Sequence, residues 1–395
     1  MFFAAGGQFT LGSPWQISSP SAATIESNLA SMLAGNAITV TVSTPQEVGF
    51  RPASAYNALW TRDNAYVLWH YPALLTATQR RQFVTYTLSR VTTGSEADPD
   101  GGTLPAGWIA DRIDSAGVAA YKNTGSGKLP FMDGIAFVIL VLWADWNATG
   151  DLTTYTASKS AIDACLATIP RSGNGCVYSD PAHPSVDYGF ADTVLKTGDV
   201  AYGTALQAWA YKMMAEMANE DGSGAYSTLR AAAESGLATL RQSSGWYKGS
   251  SGNNAARDDV WATALAVAEG LVSGPDRIAS AQAIANAYSG GTISQSGLVR
   301  HLPTGQYWAG TSTTVDTYQN GGYWLTPLWD CVRAVDLVNP PLARTWAAEA
   351  MTQINTEHTA EGTWANVPYE WNNSTIPSHG ADGYSASAAV VNRFV

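Results

Sequence analysis

Phe137-Val138-Ile139-Leu140-Val141-Leu142-Trp143 is apolar on every face that a helix would present, and Val260-Trp261-Ala262-Thr263-Ala264-Leu265-Ala266-Val267 repeats that character. Helices apolar all round are buried ones, because a surface helix keeps a polar face for water. Thr228-Leu229-Arg230-Ala231-Ala232-Ala233-Glu234 carries charge along one side, as an outer helix would. The spacing of apolar residues and the cap signals predict helices near 22–34, 61–75, 79–91, 131–147, 152–169, 199–219, 223–241, 257–271, 276–288, 321–337, 340–357 and 383–393. Every second one reads as buried, and these begin at intervals of 58 to 70 residues. A helix pair repeated six times is the simplest description, and a fixed period of this kind has to be weighed before other folds.

The connections alternate as well. Those after a buried helix are short, such as 76–78 and 148–151, whereas 35–60, 92–130, 170–198, 242–256, 289–320 and 358–382 are long. With antiparallel neighbours, all six long loops emerge at one end, where they would build a cleft; long loops in compact domains are usually functional. The expected fold is all-α, a single (α/α)6 toroid over 1–395 with an irregular N-terminal segment at 1–21. A helical repeat array without a catalytic centre is the alternative.

Composition narrows the function. Of 395 residues only 13% are charged, about half the usual share, with a net charge of −11 and no basic run, which argues against nucleic acid as a partner. The longest apolar run, Gly134 to Ala144, stops at Asp145, well short of the roughly 20 residues a membrane span needs. Met1 to Thr10 has apolar residues with no basic ones before them, so no signal peptide is visible and export stays open. Cys165, Cys176 and Cys331 lack the spacing of a zinc site and read as buried free thiols; a bridge between the first two is the alternative. The sequence calls for no metal and no cofactor. Fifteen Trp and 18 Tyr suit a cleft for an oligosaccharide or polysaccharide, since sugar rings stack on flat apolar faces.

Candidate binding residues cluster where buried helices begin. Trp60, Arg62 and Asp63 open the second helix, where an Arg and an Asp side by side suit adjacent sugar hydroxyls. Asp133, Asp258 and the segment Asn320-Gly321-Gly322-Tyr323-Trp324 stand at later helix starts, although a carboxylate there is equally an ordinary cap. Trp108, in a long loop, could stack on a sugar or anchor its own loop. For catalysis, Asp192 in Asp187-Tyr188-Gly189-Phe190-Ala191-Asp192 and Glu370 in Pro368-Tyr369-Glu370-Trp371 lie in long loops between aromatics. Desolvation would raise such a carboxyl's pKa and fit it as general acid, with the second carboxylate as base. Asp199 and Glu361 are the reserve candidates.

This layout resembles the six-hairpin glycosidases of the broad clan that includes glucoamylases and exo-acting α-mannosidases, over most of the chain. The resemblance implies that Trp60, Arg62 and Asp63 hold the terminal sugar, and that Asp192 and Glu370 are the catalytic acid and base; inversion is the expected outcome, with retention the alternative that the distance between the two carboxyls would decide. Asn320 to Trp324 is similar to an Asn-Gly-x-x-Trp type segment, and Tyr384 to Ala388 resembles the start of the last inner helix. An Asp stands at the acid position where glucoamylases carry Glu. A lyase or sugar epimerase on the same toroid would rely on His or Tyr, with His301 and His379 the residues to watch, and a carbohydrate-binding scaffold would keep the cleft without the chemistry.

Overall fold

The computed structural model describes residues 33–34, 37–40, 47–53, 56–123, 125, 127, 132–361 and 384–394. Eleven helices run through them: α1 (Thr61–His70), α2 (Ala77–Ser89), α3 (Gly134–Thr149), α4 (Thr153–Ala167), α5 (Ala201–Met217), α6 (Ala225–Thr239), α7 (Val260–Ala268), α8 (Gly274–Ser289), α9 (Leu328–Asp336), α10 (Pro340–Glu361) and α11 (Ser385–Val391). The first expected helix, 22–34, lies outside the described residues apart from Leu33 and Ala34, as does the N-terminal segment 1–21. None of these helices is long and apolar enough to cross a membrane.

The odd-numbered helices are the buried set. α1 packs on α3, α3 on α5, α5 on α7 and α7 on α9, while α11 packs back on α1. All nine residues of α7 and the first nine of α3 are buried, as their apolar sequences require. The even-numbered helices pack on this set from outside and keep a wet face, where Arg230 pairs with Glu234 one turn on. Asp145, which ends the apolar run of α3, joins two helices: its two oxygens take the guanidinium groups of Arg80 and Arg81 from α2 at 3.0 and 2.6 Å. Local chemistry sets the ends. Thr76 and Gln79 form a reciprocal capping box at α2, and α3 stops at Gly150 in the left-handed region with φ 71°.

Two expected boundaries move by five residues or more. The helix from 61 ends at His70 because the residue before Pro72 is pushed out of the helical region, and Tyr71 has φ −134°. The helix expected from 321 begins at Leu328. Tyr323–Trp324 is instead a strand paired with Leu298–Arg300, Gly321 has φ 124°, and Pro327 disfavours a helical Thr326 before it. The loops also carry strands that a purely helical reading omits. They are two to four residues long, and all the ladders are antiparallel.

The repeat is visible in hydrogen bonds. After α4, Gly175 donates to the Ser172 carbonyl and Ser172 to that of Cys176; after α6, Gly245 and Gln242 do the same with Gln242 and Trp246. The turn lays its glycine against the next outer helix, and a Cβ on Gly175 or Gly245 would come 2.5 Å from the Ala232 carbonyl oxygen or 2.7 Å from that of Ala279. Four residues past the caps of α1, α5 and α7, Asn64, Thr204 and Thr263 each bond back to the cap carbonyl and accept a backbone N–H from Phe50, Val177 and Tyr247. The first residues of the buried helices then donate to a neighbouring long loop: Thr61 to Asp111, Ala201 to Gly249, Val260 to His301 and Ser385 to Pro52. The long loops therefore interlock around the N-termini of the buried helices.

Gly245→Ala should lower stability by about 1–3 kcal/mol or more, because strain at φ 96° adds to the contact with α8. Gly222→Ala, at φ 102° but with open space around it, should cost less. Thermal midpoints of the two variants give the comparison, and equal losses would show that the helix contact is not what fixes the turn.

Candidate active site

The strand Ala58–Trp60 leads directly into α1, so Arg62 and Asp63 fall in a first helical turn whose backbone is already tied to Asp111. Arg62 is buried. Its Nε donates to Asp133 Oδ2 at 3.1 Å, and its Nη2 pairs with Asp111. Asp133 stands at the N-terminus of α3 without capping it, because Oδ2 is spent on Arg62 and on the Gly189 N–H at 2.8 Å, while Oδ1 meets no polar partner among the described residues. Gly189 is where Arg62 passes over the next loop: a Cβ there would lie 1.6 Å from Arg62 Nε. A 3-10 turn over Gly189–Ala191 then delivers Asp192.

One guanidinium thus faces four carboxylates. Burial opposes the charge on Arg62, but Asp111, Asp133, Asp63 and Asp192 outweigh it and raise its pKa, so Arg62 stays charged. The carboxyls share what one cation offers. Burial pushes Asp63 up to about 7 against the opposing pull of Arg62 and of the Tyr384 hydroxyl, which donates to it. Burial likewise raises Asp133 and Asp192, with Arg62 as the main opposing influence in both. Asp192 Oδ1 accepts from Gln319 Nε2 at 2.6 Å. Phe190 packs edge-on to Tyr66, Tyr188 and Tyr384, so one side of this loop is dry. A carboxyl raised in pKa beside a fixed positive charge keeps its proton to higher pH and can donate it to a polar substrate.

Of the residues singled out by sequence, Arg62, Asp63, Asp133, Asp192 and Tyr384 come together here. Trp60 borders them, half-buried, with the Arg112 guanidinium 5.6 Å above its ring. Others lie elsewhere. Trp108 is 2% exposed, its backbone tied to Thr92 in both directions, so it anchors its loop and has no face left for a sugar. The Asp258 carboxylate is taken by Gln242 and Gln306, both at 2.7 Å, and the helix there is capped by Asp259. Asn320 is spent on the Trp308 N–H and the Thr313 carbonyl. Trp324 is 1% exposed, packed edge-on to Trp261 and His301. The Trp surplus is largely core: Trp209, Trp246, Trp261, Trp308, Trp329 and Trp346 are buried too. Of the reserves, Asp199 is buried beside Asn174, and Glu361 ends α10. Glu370 and His379 lie outside the described residues. His301 stacks on Trp261 at 3.9 Å, and burial followed by the Lys196 charge holds it neutral. The three cysteines are free and buried.

Sequence reasoning missed Asp111, Gly189 and Gln319. Asp111 had a signal, a carboxylate in a long loop beside Arg112, but Trp108 drew the attention in that loop. The other two act only through residues distant in sequence.

No protein-family profile and no curated protein sequence matches the chain. Solved structures do match its fold. An uncharacterized conserved protein from Thermus thermophilus is similar with a TM-score of 0.64 and 14% identity, covering 94% of this chain and 99% of that one. The GH63 mannosylglycerate hydrolase from Thermus thermophilus, in complex with glucose, gives 0.60 and 13% over the same shares. A Streptococcus pneumoniae member of a family of metal-independent alpha mannosidases, in a complex with alpha-1,6-mannobiose, gives 0.60 and 12%, covering 94% of this chain and 93% of that one. The shared feature is the fold.

Folding raises Asp63 from 3.8 to about 7, so between those values the native chain holds a proton that the unfolded chain has released. The stability this group contributes is fully present below about pH 4 and is lost as pH rises through 7. Asp63→Asn, neutral throughout, should lose less stability than wild type between pH 4 and 7 in a series of thermal midpoints. Parallel curves would mean that Asp63 does not take up the proton.

Proposed function

We propose that the protein is a glycoside hydrolase on a single (α/α)6 toroid, with Asp192 as general acid and Glu370 as general base of an inverting, exo-acting hydrolysis. The observation that carries this reading is Asp192 itself: a carboxyl raised in pKa by burial, delivered by a long loop beside Arg62 and Asp63, where the loops interlock around the buried helices. The ring order of the odd-numbered helices supports the toroid. The matching folds include the mannosylglycerate hydrolase, alpha mannosidases and a rhamnosidase from Klebsiella oxytoca with rhamnose bound, which supports a sugar substrate.

In this mechanism protonated Asp192 gives its proton to the glycosidic oxygen as the bond to the anomeric carbon breaks. Glu370 takes a proton from a water that attacks that carbon from the opposite face, leaving a free sugar with inverted configuration and an alcohol. Glu370 enters through its place in the last long loop and the resemblance to six-hairpin glycosidases. Arg62 keeps its charge throughout and, with Asp111 and Asp133, fixes the floor on which the acid rests. Trp60, Asp63 and Tyr384 are the residues that this reading assigns to the terminal sugar.

Asp192→Asn and Glu370→Gln should each reduce turnover by roughly 10²- to 10⁴-fold, the range of general acid or base loss. A good leaving group needs little protonation, so Asp192→Asn should spare 4-nitrophenyl glycosides relative to methyl glycosides, whereas Glu370→Gln should impair both. A panel of such glycosides, read by product chromatography with the anomer followed by NMR, makes the test. Full activity of both variants would refute the paired-carboxylate mechanism, and an unsaturated product absorbing in the ultraviolet would indicate a lyase.

A further inference from the structure

The turn before α9 is strained. Asp316 and Tyr318 have φ 60° and 41°, in the left-handed region that non-glycine residues avoid. The turn is held there from several sides. Arg300 Nη2 reaches Asp316 Oδ1 at 3.1 Å and the Tyr307 hydroxyl donates to the same carboxylate at 2.9 Å. Asn320 and Gly322 donate their N–H groups back to Thr317 and Tyr318, and Trp308 N–H donates to the Asn320 side chain at 2.7 Å. Gly321 sits so close that a Cβ would come 2.7 Å from Arg300 Nη2.

What this arrangement presents is one side chain. Gln319, 1% exposed, points both ends of its amide at two consecutive residues of another loop. Its Oε1 accepts from Thr193 N at 2.8 Å and from Thr193 Oγ1 at 2.6 Å, and its Nε2 donates to Asp192 Oδ1 at 2.6 Å. The two Thr193 bonds would suffice to join the loops. The third fixes the amide's orientation and selects one oxygen of Asp192, and among the described residues no hydrogen bond reaches Oδ2.

We infer that Gln319 is the positioning residue of the general acid: anchored on Thr193 and on the strained turn, its amide holds Asp192 Oδ1 and leaves Oδ2 to deliver the proton. The inference rests on Asp192 being the acid. It has a titration consequence. Burial raises the Asp192 pKa, and Arg62 and the Gln319 amide both oppose that rise, so loss of the amide donor moves it further upward.

The test compares wild type with Gln319→Met, of similar length but without donor or acceptor, in the full chain. Substrates are the methyl and 4-nitrophenyl glycosides of the sugar that the wild-type protein cleaves. The kcat on the methyl glycoside should fall at least about 10-fold and that on the 4-nitrophenyl glycoside less, with KM little changed, because the donor that stabilises the carboxylate formed as the proton leaves is lost. The basic limb of the pH profile should move up by about one unit. A wild-type basic limb with equal losses on both glycosides would overturn the inference. Should Gln319→Met fail to fold, Gln319→Glu decides. A carboxylate there cannot donate, whereas its protonated form donates to Asp192 and still accepts from Thr193. Its kcat relative to wild type should rise as pH falls, and a constant ratio would overturn the inference. Failure of the acid assignment is a separate outcome, seen as full turnover of the methyl glycoside by Asp192→Asn.

Discussion

Arg62 is the pivot of this structure. Its guanidinium is buried in the first turn of α1, paired with Asp111 from one long loop and Asp133 at the start of α3, and laid over Gly189 of the next long loop. A buried ion pair gains little net stability, but removing one partner costs about 3–5 kcal/mol, because the charge left behind has no water to turn to. Here the penalty falls on four carboxylates at once. Arg62 therefore fixes where Asp111, Asp133 and the loop of Asp192 lie, and burial raises the pKa of Asp63, Asp133 and Asp192 further than this one cation can offset.

A second buried cation extends the principle to the next helix starts. Lys196, in the Asp192 loop, pairs with Asp187 at 3.0 Å and with Asp259, the cap of α7, at 3.4 Å. Asp187 also accepts the Gly203 N–H in the first turn of α5. From there Asn254 and Ala309 exchange hydrogen bonds between the next two long loops, and Gln319 returns to Asp192 and Thr193. Loops with little regular structure are held in place here because each is tied to a neighbour through buried, paired polar groups, which such groups require in order to be tolerated inside a protein. The aromatic side chains fill the space beneath. Tyr188 stacks on Tyr202 at 3.9 Å, and Trp261 meets Tyr188, Phe190, Trp324 and His301.

The far end of the buried helices follows another logic. Glu269, Asp330, Arg333, Arg393 and His70 gather there, with Asp330 pushed up to about 7 by burial and then by Glu269, and Arg393 pulled down to about 10 by burial and then by Arg333. These groups tie α7, α9 and the C-terminal residues to α1, and the contrast with the other end shows what the loops add: a neighbouring set of side chains that each repeat unit supplies to the next.

Features that depend on neighbours within a turn or two were legible in the order of residues alone. Apolar residues on every side made α3 and α7 buried helices, and charge on one face put α6 outside. The alternation of short and long connections placed the loops, and Arg62, Asp63 and Asp133 were legible because they begin buried helices. Tertiary structure decided everything that depends on which loop lies beside which. It joined Asp111 to Arg62, made Gly189 obligatory, turned Tyr323–Trp324 into a strand, buried Trp108, and spent Asp258 and Asn320 on structural bonds. Helical periodicity is a local property that a chain carries in its own order. Hydrogen bonds such as the one from Gln319 to Asp192 join residues 127 positions apart, and nothing in the order of either segment marks the other as its partner.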